Sequence, residues 1–186
     1  MNLSLSNQKT NLLSVNIILG AILIYSYYHY ITKSRVPIKK LWGKAFDLKH
    51  LYLISMVLAA IGYLLVVGFS VFKTPNTKVN NAIISNLMVI QVVIIVVSML
   101  WMPMTLVYLK EKASRSYAMI AIVFILFIVA LASAKQLLIV RNITPENNQC
   151  ARYMKTAAIV GAGYFLFHTF AFDFLGWELG FFRKKM

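Results

Sequence analysis

AIISNLMVIQVVIIVVSMLWMPMTLVYL, residues 82–109, carries no charged side chain from end to end. An α-helix needs about 20 residues, at about 1.5 Å per residue, to cross about 30 Å of hydrocarbon, and this stretch exceeds that length. Inside lipid no water can satisfy a free backbone N–H or C=O, so an apolar run of this length is a helix. Its many Ile and Val residues do not argue for strands, because a membrane barrel would show short alternating segments instead. Pro103 removes one backbone donor and crowds the preceding turn. The spacing therefore predicts a long helix that tilts, kinks near Trp101-Met102-Pro103, or does both.

Working outward, four further apolar runs of near-spanning length appear at residues 12–31, 51–72, 117–140 and 154–172. The expected fold class is all-α, a polytopic membrane helix bundle with five transmembrane helices in a single domain over residues 1–186. Composition agrees: 60% of the chain is hydrophobic and 13% charged, against about half and about a quarter in soluble domains. The polar start, MNLSLSNQKTN, leads into a run too long for a signal-peptide core and without a small-x-small cleavage site, so it reads as a retained first helix. Short connections should make successive helices antiparallel neighbours, and only residues 32–50 could hold a further short helix. No internal repeat or low-complexity tract is visible.

The net charge of +14 is concentrated in the gaps between apolar runs. That distribution suits anionic lipid headgroups and topology control, and does not call for nucleic acid. Lys33, Arg35, Lys39, Lys40, Lys44, Lys49, Lys110, Lys112, Arg115, Arg183, Lys184 and Lys185 share one side, and Lys9, Lys73, Lys78, Arg141, Arg152 and Lys155 the other. The bias predicts an outside N-terminus and a cytoplasmic C-terminus. Aromatic residues, among them Tyr25, Tyr27, Tyr28, Tyr30, Trp42, Tyr52, Trp101, Tyr108, Tyr117, Trp177, Phe181 and Phe182, fall near the inner boundary and are read mainly as a headgroup anchor. The sequon Asn142-Ile143-Thr144 lies on the outer side but too near the fourth helix for ready glycosylation. Cys150 is the single cysteine, which excludes an internal disulfide and a thiolate metal cluster.

Polar residues within the spans are costly in lipid and each needs a reason. His168 lies deep in the fifth helix and is expected to bond a serine or a backbone carbonyl of another helix, or to contact a ligand or proton. Asp173 follows five residues later, a spacing that on an α-helix places it on a different part of the surface from His168. Asp173 and Glu178 are expected to pair with loop lysines. Gln91 and Ser98 suit interhelical hydrogen bonds of about 1 kcal/mol each, and Lys135 can snorkel to the headgroups. His29, His50 and His168 are scattered and make a poor metal site. Ala157-x-x-x-Gly161, Ala130-x-x-x-Ala134 and the patch Ala59, Ala60, Gly62 mark places where helices can approach closely, within this chain or from another.

No phosphate-binding glycine loop, zinc-protease motif, serine elbow or pair of intramembrane carboxylates occurs, and neither transporter-type inverted repeats nor a selectivity filter is visible. No catalytic residue, metal ligand or cofactor is assigned. Leu106-Val107-Tyr108-Leu109-Lys110 fits the loose cholesterol-contact pattern, which a chain with 10 tyrosines can match by chance.

The layout of five helices with the longest inner loop after the first, together with Ser98-Met99-Leu100-Trp101-Met102-Pro103, resembles the translocator protein family, the tryptophan-rich sensory proteins. That family has Asn-x-x-Trp-Ser-Pro at the end of its third helix, and Gln91 is similar to its third-helix glutamine, at a longer spacing. The chain departs from the family in its first loop, where Val36-Pro37-Ile38-Lys39-Lys40-Leu41-Trp42 supplies one Trp and one Pro. The resemblance implies a bundle that binds a sterol or tetrapyrrole internally, with the first loop and Trp42 as a lid and Trp101 near the Pro103 turn lining the pocket. Gln91 and His168 complete the candidate ligand-binding set, and the family is often dimeric. Beside this stands a second reading, a structural or accessory subunit of a larger membrane assembly, which requires fewer special residues and is the expectation placed first. A lipid-acting membrane enzyme is third and would need His168, Asp173 or His50 to converge at one interface.

Overall fold

The computed structural model describes residues 6–37, 39–40, 48–111 and 113–177. Five helices are long and apolar enough to cross a membrane. They are α1 (Asn7–Lys33), α2 (Lys49–Phe72), α3 (Lys78–Lys110), α4 (Arg115–Asn142) and α5 (Gln149–Phe167), and α5 runs on as a π-helix over His168–Trp177. The chain is thus a multi-pass membrane protein, all-helical among the described residues. Each helix extends beyond the apolar run that announced it, because backbone hydrogen bonding persists after hydropathy falls. Polar side chains then start the helices: Thr77 accepts from the Asn80 backbone N–H at 3.1 Å, and Asn148 accepts from that of Ala151 at 2.8 Å. α1 ends at Ser34, and Arg35 follows with a positive φ of 53° that turns the chain out of the helix.

The helices do not pack in chain order. α1 lies on α3, α3 on α4, α4 on α5 and α5 on α2, and a lighter α2–α1 contact closes the ring. The expectation of sequential neighbours therefore holds for α3, α4 and α5 but fails for α2 and α3, which the short connection joins without broad packing. The reason lies in the small residues of α2 and α5. A Cβ on Gly161 would sit 2.8 Å from both Cα and O of Gly62. Only two glycines allow backbones to pass so closely, and that contact draws α2 onto α5. For these two small residues the partner helix is internal.

Two apolar regions fill the bundle at opposite ends. At one end Leu12, Val66, Phe69, Ile84, Leu87, Ile139, Val140, Ala158 and Ala162 form a core to which all five helices contribute. The connections there are clamped by polar groups. Asn80 exchanges two bonds with Thr144, accepting from its N–H at 3.1 Å and donating to its carbonyl at 3.0 Å. Lys9 donates to the Thr74 carbonyl, and the Glu146 N–H to that of Lys73 at 3.0 Å. At the other end, hereafter the aromatic end, Tyr27, Tyr30, Tyr52, Trp101, Met102, Leu106, Tyr108 and Phe172 pack in two adjoining clusters.

α3 continues through Pro103 without a break. Thr105 Oγ1 donates to the Trp101 carbonyl at 2.8 Å, one turn back. Such a side-chain bond helps a membrane helix absorb the disturbance of a proline. Lys135 is exposed, as a snorkelling side chain should be.

Candidate functional site

The aromatic end is not a simple anchor. Tyr25, Tyr28 and Tyr117 are exposed and free to meet headgroups. Tyr52, by contrast, is buried and donates to the Phe172 carbonyl at 3.0 Å, and Tyr27 donates across helices to the Ser98 carbonyl at 2.9 Å. These two belong to the packed interior, and the anchor reading fails for them. Trp42, Phe181 and Phe182 lie outside the described residues, as does Glu178.

His168 sits at the point where α5 becomes π-helical. Its Nδ1 lies 2.8 Å from Ser55 Oγ on α2, the interhelical serine bond expected of it. Tyr164 OH donates to the same Ser55 oxygen at 3.1 Å. On the other side of the ring, His168 Nε2 lies 3.5 Å from Asp173 Oδ1. The sequence reading separated these two residues because it assumed α-helical geometry. The π-helix takes more residues per turn and hydrogen-bonds i to i+5, so its register carries residue 173 back beneath residue 168. Among the described residues His168 is thus the partner of Asp173, and no loop lysine takes that place. Phe172 stacks on the imidazole at 5.7 Å and 23°, and Tyr52 meets Phe172 edge-on at 5.1 Å.

Gln91 is fully buried in α3 and belongs to a second polar node, near mid-bundle. Its Oε1 accepts from Asn16 Nδ2 at 2.7 Å, and Asn16 Oδ1 accepts from Tyr63 OH at 2.6 Å. One asparagine therefore ties α1, α2 and α3 together. Gln91 Nε2 and both amide atoms of Gln136 have no partner among the described residues. Sequence reasoning missed Asn16, Ser55, Tyr63 and Gln136. Asn16 and Gln136 were visible as amides inside apolar runs, whereas nothing in the sequence singles out Ser55 from other span serines.

Trp101 and Pro103 lie at the aromatic end of α3. Trp101 packs in the cluster around Tyr52 that also holds Phe172, and its ring centroid is 6.0 Å from that of Tyr27. The structure thus brings Trp101 to the same end as His168, while Gln91 lies nearly three turns away along α3 at ~1.5 Å per residue. Val36, from the first connection, packs on the neighbouring Met102–Leu106 cluster.

No protein-family model, curated protein or solved structure matches this chain.

No group of three or more His, Cys, Asp or Glu side chains converges for a metal among the described residues. The arrangement around His168 can do two things chemically. It locks α2 to α5 by hydrogen bonds, and it presents a carboxylate–imidazole pair that can take up a proton. Removing the Tyr52 hydroxyl should test the first. Tyr52→Phe is expected to lower the unfolding free energy by about 1 kcal/mol, read by chemical denaturation in detergent.

Proposed function

We propose that this protein is a structural or accessory subunit of a larger membrane assembly. The observation that supports it concerns glycine. Gly62 and Gly161 have an internal reason, since each is needed where α2 crosses α5. Gly20, Gly68 and Gly163 show none among the described residues, where a Cβ at any of the three would meet nothing within 4 Å. Glycine inside a helix costs about 1 kcal/mol relative to alanine. Three such positions, on α1, α2 and α5, suit close approach by helices of another chain, whether a second copy or different subunits. The lysine-rich connections and tail would lie on the cytoplasmic side, against anionic lipid, with the N-terminus outside.

A second reading, internal binding of a sterol or tetrapyrrole in the manner of the translocator proteins, is favoured by one contact. Val36 of the first connection packs against the cluster beside Trp101, where a lid over a pocket would sit.

Affinity isolation from native membranes in mild detergent, with mass spectrometry of proteins and small molecules, separates the two readings. The subunit reading predicts stoichiometric partner proteins, and it predicts that Gly68→Leu and Gly163→Leu lose them. Stability should not fall, since each substitution removes a helical glycine, worth up to about 1 kcal/mol, at a position open to space. A solitary monomer carrying a saturable apolar ligand would overturn it in favour of the second reading.

A further inference from the structure

We propose that His168 and Asp173 form a proton-accepting site within the bundle, connected through Ser55 to Tyr164 and reached from the aromatic end. Asp173 is the one carboxylate within the described spans. An ionisable residue there is expensive and points to function by default. Among the described residues its ion-pair partner is an imidazole, whose charge depends on protonation. The site is also built. The π-helix, a rare backbone form found often at functional sites, is what brings the pair together. Asp173 remains 34% exposed while His168 is 6% exposed, so the carboxylate is the open end of the pair and the imidazole is the end held inside.

One set of hydrogen-bond directions satisfies every group. Tyr164 OH donates to Ser55 Oγ. The Ser55 hydrogen is then free to donate to His168 Nδ1, 2.8 Å away. The Asp173 carboxylate, an acceptor, faces Nε2, which assigns the hydrogen of neutral His168 to that nitrogen and leaves Nδ1 to accept from Ser55. Every donor in the chain Tyr164, Ser55, His168 points toward the carboxylate.

A proton taken from hydronium, leaving water behind, adds one O–H or N–H bond and brings the pair from a net charge of −1 to zero. If it lands on Nδ1, the ring donates from both nitrogens. Ser55 Oγ must then accept from His168 and Tyr164 together, and its own hydrogen turns elsewhere, as to a carbonyl one turn back. Uptake on Nδ1 thus reverses the Ser55–His168 bond, one of those that join α2 to α5. Of the titratable and charged groups described at this end, Tyr52 of α2 donates to the Phe172 carbonyl beside the pair, and Tyr27 of α1 packs on Trp101. Lys49 and His50 begin α2, and Arg115 and Tyr117 begin α4, where Arg115 is engaged with the ring and carbonyl of Tyr108.

The test is a pH titration of the imidazole 15N signals in full-length protein in lipid nanodiscs, from about pH 5 to about pH 9, which spans the ordinary histidine range. The background is His29→Gln and His50→Gln, so that one ring remains. The expected result is a neutral ring in the Nε2–H form whose signals shift as the pair takes up one proton within the range. Asp173→Asn should bind that proton about tenfold less tightly, a midpoint moved by about one unit. Ser55→Ala should mix the two neutral tautomers. Wild-type ring signals that do not respond to pH across the range, a neutral ring in the Nδ1–H form, or a midpoint indifferent to Asp173→Asn would each overturn the proposal. The wild-type tautomer and titration decide it even if a variant fails to fold.

Discussion

Gly161→Val is expected to prevent the bundle from forming, so that the variant is recovered as aggregate or runs as an expanded species on size exclusion. A Cβ at this position already falls 2.8 Å from Gly62 Cα and O, closer than such atoms approach. The obstacle is backbone and cannot rotate aside. α2 and α5 would have to separate, and with them Ser55 from His168 and Tyr52 from Phe172, whose bonds span the same interface. Overpacking a core costs about 1–3 kcal/mol where side chains can adjust, and here they cannot, so ~3 kcal/mol is the least to expect. Gly163→Ala, two residues away and open to space, serves as control and should gain helix propensity. If Gly161→Val unfolds at the wild-type denaturant midpoint, the α2–α5 crossing described above is wrong.

The second large effect is expected from Asn16→Leu, at about 2 kcal/mol of destabilisation. An interhelical hydrogen bond in a membrane protein averages about 0.6 kcal/mol and reaches about 1.7. Asn16 makes two of them, to Gln91 and Tyr63. Its loss also leaves the buried Gln91 amide, whose Nε2 already has no described partner, without any. Leaving a buried polar group unpaired costs about 1–3 kcal/mol, whereas leucine is tolerated by the apolar surroundings. The double variant Asn16→Leu with Gln91→Leu should recover part of the loss, because removing both partners of a buried bond is milder than removing one. Equal, additive losses would show that the two amides do not interact.

The membrane class and the number of spans were legible because transfer energy is a local property. A run such as residues 82–109 states its environment without reference to any other residue. Helix ends were legible only to within a few residues, since Thr77 and Asn148 extend helices by capping chemistry that hydropathy does not register. Neighbour relations were not legible. Ala59, Ala60, Gly62 and Gly161 announced close approach by their size, but only the folded chain pairs Gly62 with Gly161. The serine bond of His168 was foreseen as a type, while its partner Ser55 was not. Asp173 was misplaced for a definite reason: five residues separate it from His168, and that interval closes in a π-helix and not in an α-helix. No local rule applied to HTFAFDFLGW distinguishes those two backbones.

The fold requires an odd number of crossings between the third connection and the start of the fifth helix. Cys150 is exposed at the first turn of α5, and Glu111 lies just past the end of α3; one membrane helix, α4, separates them. The decisive measurement is membrane-impermeant thiol labelling of sealed vesicles, comparing the native Cys150 with Glu111→Cys in a Cys150→Ser background. The account predicts that one of the two labels in intact vesicles and the other only after permeabilisation. Labelling of both from the same side would contradict it.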